Sequence, residues 1–228
     1  MKFPFKVIDL THEISANIPT WDINCGFSHE NILDYDDCDT DVKFRVQHAE
    51  MPLGIGTHVD APAHCCVNGV TIESLELNSL ITECIVINVS HLATENYIVD
   101  ENVITQFESE YKKIPKNSFV IVYTGWSENW NNPIKYHNNY KFPSISKDVA
   151  KTLLKREIAG LGIDTLSPDR PDSGFPVHKL FLSNNKYIVE NINKANLLPY
   201  INSYIMILPM KIKDATEAPA RILGLLND

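Results

Sequence analysis

Apolar residues along the chain follow two patterns: short continuous runs bounded by polar turns, and stretches in which they recur every three or four positions. Residues 5–10, 81–89, 118–123, 158–163, 187–190, 204–209 and 210–212 belong to the first kind and read as strands. Most are rich in β-branched residues and lack polar alternation, as expected of strands covered on both faces. Residues 44–48 alternate apolar and polar, the pattern of a half-exposed strand. Helical spacing is clearest in two places. Asp100 is a fitting N-cap for residues 100–111, which set Val103, Ile104 and Phe107 on one face, and Ser146 caps residues 146–156, which bury Val149, Leu153 and Leu154. Residues 177–183 offer a further turn or two. Short turns are expected at 71–80, loops at 22–41, 127–142 and 166–177, and the tail at 218–225 closes the fold. Strands alternating with helices give an α/β class. Without an internal repeat, low-complexity tract or linker, residues 1–228 read as one domain.

Composition narrows the partners rather than the fold. A net charge of −9 lacks the basic stripe that nucleic-acid binding requires. Cys25, Cys38, Cys65, Cys66 and Cys84 are odd in number and follow no framework spacing, which suits a reduced, cytoplasmic chain. The opening MKFPFKVIDL has no long apolar core, so no secretion signal is expected, and no run reaches membrane-spanning length. Asp34, Asp36, Asp37, Asp39 and Asp41 cluster without the glycine and glutamate spacing of a calcium loop, and read as a solvated loop.

The chemistry concentrates in residues 54–69, GIGTHVDAPAHCCVNG. In an extended backbone His58 and Asp60 point to one side while Val59 faces a core. Pro62 keeps Ala61 out of helix, and the resulting turn can return His64 to the same neighbourhood. Gly54 and Gly56 permit close backbone approach. Imidazole nitrogen with carboxylate oxygen suits zinc or manganese. By spacing alone, a polar loop is the commoner reading of the same residues.

The string GTHVDAPAH resembles the HxGTHxDxPxH signature of the cyclase-like metal-dependent hydrolases, the kynurenine formamidase and isatin hydrolase superfamily. The opening strand, the DLTH turn at residues 9–12 and the loop containing Pro19 extend the resemblance. It implies a compact domain of swivelling β/α/β type with a mixed, partly barrel-like sheet, associating as a homodimer or homotetramer. It also implies one or two divalent metals, zinc or manganese. One would take a histidine at position 54 together with His58 and Asp60, and the other Asp60, His178 in HKLFL and Glu190 in IVEN. His64 matches the proposed acid/base histidine, and Asp164 in GIDTLSPD the segment that shapes the site wall.

The departure is Gly54, which leaves the first metal weak, absent or completed by a substitute; Cys25 and His48, with Gln47, are nearest by loop position. Trp21, Phe27, Trp126 and Trp130 are candidates for an aromatic pocket, and Tyr136 and Tyr140 for a lid. The expected activity is hydrolysis of a carbon–nitrogen bond in an amide, formamide or lactam by metal-activated water. An esterase or lactonase on the same scaffold is the rival enzyme. A catalytically inactive small-molecule binding protein is the other alternative; Gly54 favours it and His64, which binding does not require, opposes it.

Overall fold

The computed structural model describes residues 4–22 and 26–227. The chain begins with β1 (Phe5–Asp9), a ribbon of β2 (Ser28–Leu33) and β3 (Val46–Glu50), and the short β4 (His58–Asp60). Then come α1 (Leu77–Leu80), β5 (Ile81–Asn88), β6 (Ile98–Val99), α2 (Glu101–Glu110) and β7 (Phe119–Tyr123). α3 (Pro133–His137), β8 (Ser144–Ile145), α4 (Lys147–Lys155) and β9 (Gly160–Ile163) follow. The last elements are α5 (Pro176–Ser183), β10 (Tyr187–Glu190), β11 (Ser203–Pro209) and β12 (Glu217–Asn227).

The main sheet runs β1-β12-β11-β5-β7-β9-β10-β4, and β4 pairs back onto β12. Seven strands therefore close into a barrel, with β1 hydrogen-bonded to the outside of β12. The pairs among β5, β7, β9 and β10 are parallel and the rest antiparallel. Closure pairs β4 on both sides and so removes one of the two edges that an open sheet of this order would present. β12 makes it possible: its first residues pair with β4, and the remainder lies between β11 and β1.

The continuous apolar runs separate by twos into two cores. Cys84, Val86, Phe119, Ile121 and Tyr123 point into the barrel, beside Val59, Val189, Ile205 and Ile222. Ile85, Ile87, Val120, Val122, Leu161 and Ile163 point outward, beneath Ile104 and Phe107 of α2, Val149 and Leu153 of α4, and Phe181 of α5. The caps are those the sequence indicates: Asp100 accepts from Asn102 N, and Ser146 from Val149 N.

Several stretches differ from the sequence reading. Residues 127–142 form a 3₁₀ turn, α3 and a left-handed Asn138–Tyr140 segment, not a long irregular loop. Asn132 caps α3 by accepting from Lys135 N, and Trp130, Tyr136 and Phe142 are buried beneath it. Residues 44–48 become β3, shifted towards residue 50 and exposed on both faces. β11 alternates, with Tyr204 and Leu208 outward, and residues 210–212 form no strand. The acidic loop contains β2 and a 3₁₀ turn that Asp34 and Asp37 close as a capping box, with Asp34 bonded to Arg45. Among the described residues no helix is long and apolar enough to cross a membrane.

Candidate metal centre

The register of three neighbouring strands builds the site. Within β4, His58 and Asp60 lie two apart, so both side chains leave the same face of the strand. On one side, β10 sets Glu190 opposite His58. On the other, β12 sets Glu217 opposite Asp60. Directly paired positions bring side chains within reach of each other. Three carboxylates and an imidazole therefore converge as a consequence of strand pairing.

α5 brings the second imidazole. It packs over the Pro62–His64 turn and β10. Asp169, itself buried, accepts from Val177 N (3.1 Å), His178 N (2.9 Å) and His178 Nδ1 (2.9 Å). One carboxylate thus caps the helix and fixes the imidazole, leaving Nε2 directed at Asp60 (3.6 Å) and Glu190 (3.4 Å). His58 is held in the same way: Nδ1 lies 2.9 Å from Gly56 O, and Nε2 is 3.4 Å from both Asp60 Oδ1 and Glu190 Oε2. A carbonyl only accepts, so Nδ1 carries the hydrogen and Nε2 of the neutral ring is the free lone pair.

These separations fit a cation better than a hydrogen-bond network. Atoms held about 2.1 Å from one ion at tetrahedral angles stand about 3.4 Å apart. Asp60 is 1% exposed, and neither of its carboxylate oxygens has a hydrogen-bond partner. A buried carboxylate left so is costly unless an ion answers it. His58, Asp60 and Glu217 form one group able to hold a metal, and Asp60, His178 and Glu190 another.

Without a cation the charges adjust to one another. Burial works against a proton on His58, but Asp60 and Glu190 outweigh it and raise the pKa to about 10. Burial would raise the carboxyl of Asp60, yet the His58 and His178 imidazoles hold it well below the usual range. Burial and the nearby Asp60 charge push Glu190 up. His64 ends the Pro62–His64 turn with Nδ1 3.3 Å from Glu217 Oε2, a contact that raises its pKa.

The group forms the floor of a cavity of about 500 Å³, walled by Trp21, Pro52, Leu53 and Phe175, with Asp22, Cys65 and Ser167 adding polar atoms. That is the size and character of a small-molecule site. Phe175 is held at φ 57°, uncommon for a bulky residue, with its ring against Trp21 and His178.

The structure brings together His58, Asp60, His64, His178, Glu190 and Trp21, all of which line this cavity. Other candidates lie elsewhere. Cys25 falls outside the described residues. His48 is exposed on the ribbon opposite Glu30, and Gln47 bonds Asn31 there, so neither lines the cavity. Phe27, Trp126 and Trp130 pack in a third apolar cluster and do not wall the cavity; Trp126 Nε1 donates to Tyr136 O, and Trp130 stacks on His12. Tyr136 is fully buried and cannot act as a lid, and Tyr140 donates to Trp21 O. Asp164 is not a wall but an internal brace, accepting from Thr124 N, Thr124 Oγ1 and Ser127 N. The sequence reading missed Glu217, Asp169 and Phe175. Only Asp169, an acidic residue shortly before the His178 helix, carried a local signal.

Isatin hydrolase of Roseibium aggregatum is 25% identical over 243 residues, covering 97% of this chain and 92% of its own. Kynurenine formamidase of Erythrobacter litoralis is 23% identical over 219 residues, covering 96% and 93%. Among solved structures, isatin hydrolase A from Labrenzia aggregata bound to benzyl benzoate matches with a TM-score of 0.88 at 25% identity, over 99% of this chain and 95% of that one. Fold, site and relatives together define a metal-dependent hydrolase. The Cyclase family model matches residues 8–170, and the chain belongs to that family.

Proposed function

We propose that this enzyme hydrolyses a carbon–nitrogen bond in a small amide, formamide or lactam, using zinc or manganese held by His58, Asp60, His178 and Glu190. The observation that carries the reading is Asp60, buried between two imidazoles without a hydrogen bond to either oxygen, on the floor of a cavity that also presents His64. The bond class follows the names of the relatives, an isatin hydrolase and a kynurenine formamidase.

A bound divalent cation supplies a Lewis acid that polarises the substrate carbonyl and acidifies a water. The chain's own residues do the rest. His64 has Nδ1 against Glu217, which leaves Nε2 to exchange protons with the reacting groups. It takes a proton as the water oxygen bonds to the carbonyl carbon, and gives it to the nitrogen as the carbon–nitrogen bond breaks. Glu217 stabilises the imidazolium between those events. Trp21 and Phe175 present flat apolar faces suited to an aromatic substrate, while Asp22 and Ser167 offer polar contacts to orient it.

The test is turnover by protein loaded with zinc or manganese, on a panel of aryl lactams, aryl formamides, lactones and esters. Hydrolysis of a lactam or formamide is expected. Turnover of esters or lactones alone would move the assignment to that bond, and inertness towards the whole panel would sink the enzyme reading in favour of binding.

We also propose self-association through the β2–β3 ribbon. An isolated two-stranded ribbon is marginally stable, and this one and its connection expose Ile32, Tyr35, Val42, Phe44 and Val46. Light scattering should find a homodimer or larger, and a monomer after Ile32→Glu with Phe44→Glu. Free Cys38, Cys65, Cys66 and Cys84 support a reducing, cytoplasmic setting.

A further inference from the structure

We infer that Glu217 is a metal ligand, completing a second cation position with His58 and Asp60 where the family signature has an imidazole at position 54. The inference rests on the metal-hydrolase reading above. Glu217 opens β12 opposite Asp60, and its Oε1 occupies the space in which any side chain at position 54 would begin. A Cβ placed on Gly54 would collide with that oxygen and stand 3.7 Å from His58 Nε2. Gly54 and Glu217 are therefore one arrangement: the missing side chain makes the room that the carboxylate fills.

Two further observations show what the carboxylate is for. His58, Asp60 and Glu217 each offer a ligand atom within 4.8 Å of the others. Asp60, 1% exposed and without hydrogen-bond partners, turns Oδ1 towards His58 and Oδ2 towards His178, one oxygen to each cation position. Together the two positions contain two imidazoles, three carboxylates and no thiolate. Exchanging an imidazole for a carboxylate makes the first position harder and more anionic, which moves its preference from zinc towards manganese. The other oxygen of Glu217 reaches His64, so the same side chain joins that position to the proton-transfer histidine.

The experiment is titration of metal-free protein with Mn²⁺, followed by calorimetry and electron paramagnetic resonance. The wild type is expected to take two manganese ions per chain with an exchange-coupled spectrum. Glu217→Gln is expected to keep one ion, lose the coupling and weaken the other by about 100-fold. Gly54→Ala reaches the same end independently, because its methyl group displaces Oε1. The double variant G54H/E217A should bind two ions again and favour zinc over manganese by about tenfold more than the wild type. Two ions of unchanged affinity in both Glu217→Gln and Gly54→Ala would overturn the role of Glu217 and leave the hydrolase reading standing. So would a single ion in the wild type that neither substitution touches. A wild type that binds neither manganese nor zinc would overturn both.

Discussion

Asp169 holds His178 in place, and the consequence of removing its charge can be worked from three bonds. Oδ1 accepts from Val177 N at 3.1 Å, and Oδ2 from His178 N and His178 Nδ1 at 2.9 Å each. Asp169→Asn keeps the shape but turns one oxygen into an NH₂ group, which cannot accept. If the amide oxygen stays towards His178, Val177 N–H loses its partner; the reverse orientation strands both His178 donors. The better orientation loses one bond to a buried carboxylate and weakens two, for a loss of about 1.5–3 kcal/mol in unfolding free energy. Metal affinity falls as well, because the imidazole loses the anion that orients it. Outer partners of this kind are worth about 10–100-fold in affinity, or about 1.4–2.7 kcal/mol. Urea unfolding of the metal-free protein measures the first effect, and calorimetric titration with manganese the second. If Asp169→Asn unfolds at the wild-type midpoint and binds manganese as tightly, α5 positions His178 unaided and the reasoning fails.

Loss of the His64 imidazole as glutamine should lower kcat by about 10²–10⁴-fold on any substrate found, with metal content by elemental analysis unchanged. The metal-free protein should lose stability as pH rises from the ordinary histidine value near 6.5 towards 10. The raised pKa of His58 makes its protonated form a stabilising group below that window, and the contribution disappears through it. Near neutral pH a cation must then displace that proton, so calorimetric heats in buffers of different ionisation enthalpy should reveal proton release on binding. Tyr136→Phe removes 2.9 Å bonds to Asp164 O and Asn191 Oδ1 from a fully buried position, and should lower stability by about 1–3 kcal/mol in thermal unfolding.

What the sequence disclosed depended on how local the cause was. The strand alternation of His58-Val59-Asp60 put both candidate side chains on one face, as the structure has them, because side-chain direction in a strand is set by the neighbouring residues alone. Asp100 and Ser146 were readable as caps for the same reason, each bonding a backbone amide two or three positions ahead. His178 and Glu190 carried no comparable local signal; the family resemblance pointed to them, and the fold places them in the cavity. Glu217 was illegible. Its segment, ATEAPAR, shows that the chain extends but not which strand it meets, and its chemistry arises only because β12 pairs with β4. The aromatic candidates failed for a related reason. Trp126, Trp130 and Tyr136 are large enough to wall a site or fill a core, and the capped α3 turns them inward.

Barrel closure and the candidate metal centre are one feature of this molecule. The strand that closes the barrel is β4, three residues long and buried throughout, with His58 and Asp60 at its two ends. Because strand side chains alternate, a slip of one residue in either of its pairings would carry a glutamate to the opposite face. A slip against β10 would remove Glu190 from His58, and one against β12 would remove Glu217 from Asp60. The ladder around β4 is fixed by backbone bonds at both ends, Ala61 N to Thr216 O at 2.9 Å and Ala220 N to Thr57 O at 3.0 Å. Those bonds fix the register against β12, the ladder with Ile188–Glu190 fixes it against β10, and the two registers together gather the carboxylates. In turn, a cation held by groups from β4, β10 and β12 would bind only the correctly registered seam, and mass action would strengthen the closure that created its site. In the metal-free protein the protonated His58 answers part of the carboxylate charge gathered on so short a strand, and a cation that displaces its proton must take over that role.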